Sequence, residues 1–442
     1  MTVLPSPVSD NNRIDTLDIL RGFAVFGILL MNIVVFAQPY HVWWNPGITA
    51  GQPGAWPETW LVIDGFFSGT QRGLFSLLFG AGIILLTSRM ESGQRGPLAA
   101  DIYFRRNLWL LVFGLVNAFL FMWSGDILVP YALAALLLFP LRNVPSRHLI
   151  AFSLIILIGM TSVIYLGWQE RIEQKADYEA ALTVKNASQE LSEEQESAIE
   201  GWEKRPTAYD DKVVQEHLET MQGGLGDIFL SDAAAPFWKN GFFLFEYWFW
   251  DVILMMTLGM VLFKAGIITG QRAAGFYLRG MAICYGIAIP MAAIAVWRVY
   301  SSDFDPIVWE SSGITYEICR VLLTLGHMCL IILFCKSGLL RGFARSMQYV
   351  GQMALTNYLT QSIICALVFY GFGAGLFGKY FGYQLYFFVF AIWVVQIIWS
   401  RLWLQYFRFG PFEWLWRSLT YWQRQPMRRA QTTSAPALPD NA

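Results

Sequence analysis

Residues 13–41 read RIDTLDILRGFAVFGILLMNIVVFAQPYH. From Ile19 to Ala37 only Arg21 and Asn32 interrupt an apolar run, and such a run is long enough to cross the hydrocarbon core as a helix. No small-residue cleavage pattern closes it, so it is expected to stay as the first membrane helix rather than leave as a signal peptide. Nine further apolar stretches follow, at 62–87, 107–124, 126–141, 148–168, 242–263, 274–297, 315–335, 348–370 and 383–404. The second is long and contains Gly69 and Gly73, where a break or kink is expected; the fourth is short. The expected fold is all-α: a polytopic transmembrane helical bundle of about ten helices.

Composition agrees. Of 442 residues, 55% are hydrophobic and 14% charged, against about 25% charged in an ordinary soluble domain. Nineteen tryptophans suit the membrane–water boundary, where an indole has one wet and one apolar side. A net charge of −1 gives no footing for nucleic-acid binding. The five cysteines, Cys284, Cys319, Cys329, Cys335 and Cys365, lack paired spacing and are expected to be free thiols. No clustered His or Cys suggests a metal site, and no phosphate loop, dinucleotide fingerprint or nucleophile elbow occurs.

Charge orients the helices. Basic residues crowd the connections at 88–106, 142–147, 264–272 and 336–345 and the tail after 404, whereas 38–59 and 299–313 contain no Lys or Arg. The positive-inside rule places the basic connections, and with them both termini, in the cytoplasm. Residues 169–240 hold 16 of the 32 acidic residues but 7 of the 31 basic ones, so they read as an aqueous extracytoplasmic insertion, largely helical, serving as a lid or as a solvated spacer. The expected organisation is an N-terminal transmembrane half (1–168), the acidic insertion (169–240), a C-terminal transmembrane half (241–422) and a disordered cytoplasmic tail (423–442).

Ionisable and amide groups inside a membrane are expensive and mark sites. Asp18 and Arg21 are three apart and can pair. Asn32 lies eleven residues beyond Arg21, nearly three turns and roughly 16 Å along the same face. His41 follows beyond the helix end. Asp64 either orients His41, as a carboxylate orients a catalytic imidazole, or forms a structural ion pair with Arg72. Glu246 and Asp251 fall in one helix, with Arg279 or Arg72 as buried partners. Glu317 and Arg320 form another i,i+3 pair, with His327 two turns on, either lining a polar passage or sitting as a satisfied core histidine.

The opening RIDTLDILRG at 13–22 resembles the signature shared by YeiB-like bacterial membrane proteins and the transmembrane acyltransferases. VGQMALTNYLTQS at 350–362 and FRFGPFEWLWRSLTY at 407–421 resemble hallmark segments of the YeiB-like family, and the resemblance covers residues 13–422. It implies a bacterial inner-membrane protein. The first two helices are also distantly similar to heparan-alpha-glucosaminide N-acetyltransferase: Arg21-Gly22, Asn32, His41 and Asp64 follow in that family's order, the Asn-to-His spacing being about two residues shorter. That likeness implies transfer of an acyl group from cytosolic acyl-CoA, acetyl-CoA included, to an extracytoplasmic acceptor such as a cell-envelope glycan or a small molecule. Arg21, Arg105 and Arg106 then meet the donor's phosphates, Asn32 polarises its carbonyl, His41 acts as base and Asp64 orients it. The competing expectations are a transporter of a small solute, in which the same buried charges line a pathway, and a non-catalytic membrane partner.

Overall fold

The computed structural model describes residues 14–49, 54, 56–92, 96–204, 211–230 and 247–429. Among them the secondary structure is helical, with one isolated bridge between Phe407 and Arg428. The segment 242–246 of the sixth expected span, Glu246 included, and residues 430–442 of the expected disordered tail lie outside the described residues.

Helix α1 (Asp15–Ala37) runs through the centre and continues into a short α2 (His41–Trp44). Next come α3 (Trp56–Phe67) and α4 (Thr70–Ser92), then α5 (Gly96–Phe119), α6 (Leu128–Leu138) and the 41-residue α7 (Ser146–Asn186). The insertion supplies α8 (Glu193–Glu203), α9 (Asp211–Gln222) and α10 (Leu225–Leu230). The second half comprises α11 (Phe249–Lys264), α12 (Ala274–Ser301), α13 (Pro306–Ser337), α14 (Arg341–Gln352), α15 (Ala354–Phe369), α16 (Gln384–Tyr406) and α17 (Pro411–Tyr421). Six stretches are long and apolar enough to cross a membrane: α1, the α3–α4 run, α7, α12, α13 and α16; α6 with its following turn and α15 are shorter apolar helices. Of the apolar window, 67% is buried in α1 but 11% in α12 and 22% in α7. The first is the bundle's axis, and the other two present most of their surface to lipid.

Four boundaries differ from the sequence reading, each for a local reason. The expected second helix breaks at Gly69, whose φ of +63° suits glycine, and a Cβ there would strike the Tyr316 hydroxyl and the Arg320 side chain. The expected ninth helix is two: α14 is strongly amphipathic and lies across the start of α1, and α15 departs at Met353. The expected fifth helix does not stop at 168 but carries on as α7 into the insertion, so part of the acidic segment is a rigid extension of a membrane helix. Finally, α6 starts at Leu128, because residues 120–127 turn back into the bundle as irregular chain.

Between helices in lipid the apolar driving force is absent, so close packing and polar contacts hold the bundle. Gly22 of α1 and Gly351 of α14 show the first: a Cβ on either would run into the backbone of the other helix, at Met347 O and Asp18 O respectively. Those two glycines fix the helices that carry Asp18 and Arg21. One end of the bundle collects the basic turns: Lys264 Nζ donates to Val144 O at 2.6 Å, and Arg21, Arg106 and Arg417 border one cavity there. We call it the arginine end. At the opposite, loop end, Gly378 N donates to Ala37 O at 2.8 Å and Gly371 N to Met221 O at 2.9 Å, which seats α9 of the insertion on the bundle.

Candidate functional site: an arginine-mouthed cavity

A cavity of about 250 Å³ opens at the arginine end among α1, α4, α5, α6, α15 and α17. Along α4 its lining runs from Leu86 to Phe75, eleven residues or roughly 16 Å of helix. Three guanidinium groups stand at its mouth. Arg21 is paired with Asp18 (2.7 Å) and its side chain remains 32% exposed. Arg106 lies over the Trp416 ring, Cζ 3.8 Å from the centroid, and Trp416 Nε1 donates to Arg106 O at 2.8 Å. Arg417 rests on Phe409 at 4.5 Å. Beyond them the wall is apolar, with Leu78, Phe79, Leu110 and Ala135, and the inner end is formed by Leu128 and Tyr358. The arrangement suits an elongated ligand with an anionic head and a narrow, weakly polar arm, since a guanidinium fork matches phosphate oxygens.

Helix α17 is held in place from below. Glu413, buried, accepts from Thr356 N (3.0 Å) and Thr356 Oγ1 (2.5 Å). Burial raises its pKa above the ordinary glutamate value. The sequence marks 407–421 as a family segment within a basic stretch but gives no helix there, so Arg417 and Glu413 carry no role in that reading.

The expected pair Arg105–Arg106 is split. Arg106 lines the cavity, while Arg105 points elsewhere and binds Asp101 at 2.5 Å. Adjacent residues on a helix stand about 100° apart, and here it is Arg106, with Tyr103, Asn107 and Leu110, that the rotation of α5 turns towards the cavity.

A second polar centre lies deeper. Arg72 pairs with Asp251 (2.7 Å); Arg320 contacts Asp251 and binds Glu317 through Nε (3.1 Å) and Nη2 (2.5 Å); Tyr247 donates to Glu317 Oε1 at 2.5 Å. This corrects the expected Asp64–Arg72 pair and selects Arg72 over Arg279, whose Nε donates to Gly275 O. Two cations and two carboxylates balance, as a buried network must. His327 is outside it: its Nδ1 is 2.5 Å from Leu323 O and its ring packs on Phe66 and Tyr285.

The three residues expected to perform chemistry are dispersed. Asn32 is half-buried on α1. Asp64 has Ser68 as its hydrogen-bonding neighbour and its charge reaches Tyr386. His41 is buried at the loop end, its ring 3.8 Å from Tyr40 and 6.1 Å from His217 of the insertion. Among the described residues no hydrogen bond or ion pair joins His41 to Asp64. Burial lowers the pKa of His41 below the usual histidine value, which favours the neutral ring, and its Nδ1 has no partner. His217, half-buried and facing His41, is pushed down to about 4 by desolvation and by the neighbouring His41. A small cavity of about 40 Å³ lies beside them, lined by Tyr40, His217, Trp123 and Ser124.

Comparison with known proteins follows the whole chain. A family model described as "Protein of unknown function (DUF418)" matches residues 262–423. The chain is 31% identical over 430 residues to the "Uncharacterized protein YeiB" of Escherichia coli, covering 92% of this chain and 95% of that protein. It is 28% identical over 438 residues to the "Uncharacterized protein YxaH" of Bacillus subtilis, covering 96% and 98% respectively. No solved structure matches.

Proposed function

The chain belongs to the YeiB-like family of DUF418 membrane proteins, and from that premise we propose that it is an acyltransferase that takes an acyl group from acyl-CoA at the arginine end and delivers it to an acceptor at the loop end. One observation carries this reading: a cavity lined by three arginines at one end, a largely apolar shaft of roughly 16 Å and an inner end closed by Leu128 and Tyr358. A pantetheine arm is narrow and about that long, and the donor's phosphates remain outside with Arg21, Arg106 and Arg417. The arginine end is cytoplasmic in this reading, as the distribution of basic residues favours, and the bilayer in question is the bacterial inner membrane.

The loop end serves the acceptor, a cell-envelope glycan or a small molecule bearing a hydroxyl or amine. A neutral, buried His41 with an open Nδ1 is a competent proton acceptor, and Asn32 and Asp64 lie on the same side of the bundle as supporting polar groups. The acceptor heteroatom bonds to the acyl carbon, the C–S bond breaks, and the sulfur leaves as a thiol with the proton released by the acceptor.

The test is calorimetric titration of the detergent-purified protein with acetyl-CoA. Saturable binding that is lost in Arg106→Ala/Arg417→Ala and kept in His41→Ala supports the donor site. Well-folded protein that binds neither acetyl-CoA nor a longer acyl-CoA defeats it, and solute flux in liposomes becomes the next assay.

A further inference from the structure

The strongest unassigned feature is a buried carboxylate with no cation. Asp126 is fully buried inside the bundle, on the irregular segment 120–127 that turns back between α5 and α6. No ion pair reaches it among the described residues. Its oxygens are satisfied by neutral donors: Asn117 Nδ2 at 2.8 Å and Tyr358 Oη at 3.2 Å on Oδ1, and Val129 N at 3.0 Å on Oδ2. Irregular backbone at this depth occurs only where protein buries it or where it lines a cavity, and this segment does both. Tyr358 and Leu128 close the inner end of the arginine-mouthed cavity, while Trp123 and Ser124, a few residues earlier, line the small cavity beside His217 and Tyr40. The segment is therefore the partition between the two cavities.

Tyr358 stands at that partition with its hydroxyl at the end of the shaft. It accepts from Ile127 N at 3.2 Å and donates to Asp126 across a long 3.2 Å contact, while Asp126 keeps two shorter bonds without it. The Tyr358 hydroxyl thus makes the longest of these contacts to Asp126 and is the donor most readily redirected. Asn117 is also fully buried and its Oδ1 has no partner, which leaves an acceptor free for the donor hydrogen of an incoming group.

We propose that Tyr358 holds the acyl carbonyl of the bound donor, and that Asp126 positions Tyr358 from the partition. This rests on the donor reading above and adds where the thioester stops. The Tyr358 O–H turns from Asp126 to the thioester oxygen, where negative charge grows as the acceptor attacks through the partition, and a donor placed there acts on the charge as it develops. Bond changes are those of the transfer itself: one bond from the acceptor heteroatom to the acyl carbon forms, C–S breaks, and the acceptor's proton ends on the departing sulfur. The tyrosine proton is shared and not consumed.

The experiment is infrared difference spectroscopy of acetyl-CoA carrying carbon-13 at the carbonyl, bound to the full-length protein in detergent. In the wild type the carbonyl band moves to lower wavenumber than in free acetyl-CoA. In Tyr358→Phe it returns to the free position, while affinity for CoA, which has no acyl group, stays within about twofold of wild type (~0.4 kcal/mol). Asp126→Asn gives a smaller displacement at unchanged CoA affinity, whereas a merely structural Asp126 would weaken CoA and acetyl-CoA alike and leave the band displacement intact. Acetyl-CoA bound with an unshifted band, or a shift that survives in Tyr358→Phe, overturns the proposal. Absence of acetyl-CoA binding to the wild type is a different result: it overturns the donor site, and the carbonyl site with it.

Discussion

Arg72 of α4 is held by Asp251 of α11 at 2.7 Å, although Asp64 lies only eight residues before that arginine along the same α3–α4 run. The break at Gly69 explains the choice, because it turns α4 so that Arg72 faces α11 and α13. Asp251 is then the hub of the network, shared by Arg72 and Arg320. Replacing it with Ala leaves two guanidinium groups buried against a single carboxylate. We expect Asp251→Ala to destabilise the protein by about 3–5 kcal/mol, read as earlier unfolding in a denaturing-detergent titration. The double variant Arg72→Met/Asp251→Leu removes both partners, keeps the Arg320–Glu317 pair and should regain most of that loss. A double variant no more stable than the single one would refute the pairing.

The split of the adjacent arginines makes a sharper prediction. Arg106 lies within the cavity against Trp416, and Arg105 is engaged outside it by Asp101. Arg106→Ala should weaken CoA binding by about tenfold or more, which is about 1.4 kcal/mol. Arg105→Ala should change it less than about twofold, since exposed pairs contribute little. Raising the salt concentration should weaken the wild type more than Arg106→Ala, because screening acts on the charge that the variant lacks. Equal losses in the two single variants would place the phosphates elsewhere.

The contrast between these groups shows what a linear reading can reach. Asp18–Arg21 and Glu317–Arg320 are legible at once, because i,i+3 spacing on a helix brings the partners together whatever the fold. Apolar runs separated by basic turns likewise predict the helices and the common side of the arginines. Which of Arg105 and Arg106 faces inward depends on the rotation of α5, which its neighbours set. Asp126 reads as the first residue of the short fourth stretch, with nothing nearby to mark it; its partner Tyr358 comes 232 residues later. Arg417 belongs to a cavity only because Thr356 holds Glu413. Local spacing carries none of these long-range relations.

Docking of the insertion should depend on pH. His217 faces His41, Tyr40 and Phe377, and Gln222 Nε2 donates to Phe377 O at 3.0 Å on the same helix. Glu216 and Glu219 of that helix are exposed. Burial and the neighbouring His41 hold the His217 pKa down to about 4 when docked, against about 6.5 when free. The docked state thus refuses a proton that the undocked state takes. Docking is at full strength above about pH 6.5, weakens as pH falls towards about 4, and loses no more below that. Hydrogen exchange of α9 should accelerate over this window in the wild type. In His217→Phe, which keeps the ring contact but cannot be charged, the acceleration should be much reduced; an unchanged pH profile in that variant would assign the effect to another group.

The last relation links a stability change to binding. Glu413 is buried and takes two hydrogen bonds from Thr356, while Trp416, one turn on, donates to the backbone of Arg106. Thr356→Val keeps the shape and the backbone N–H but removes the hydroxyl, so the buried carboxyl loses one of its donors. Loss of a partner to a buried polar group costs about 1–3 kcal/mol. Because burial raises the pKa of Glu413, the cost should be smaller at acidic pH, where a protonated carboxyl needs fewer donors, and larger as pH rises. The effect should not stop at stability. A loosened α17 moves Arg417 and the Trp416 ring that supports Arg106, so CoA affinity should fall in Thr356→Val although residue 356 does not line the cavity. Calorimetry with CoA at two pH values tests both parts. A stability loss with unchanged CoA affinity would mean that α17 anchors the bundle without shaping the mouth, and would remove Arg417 from the donor site.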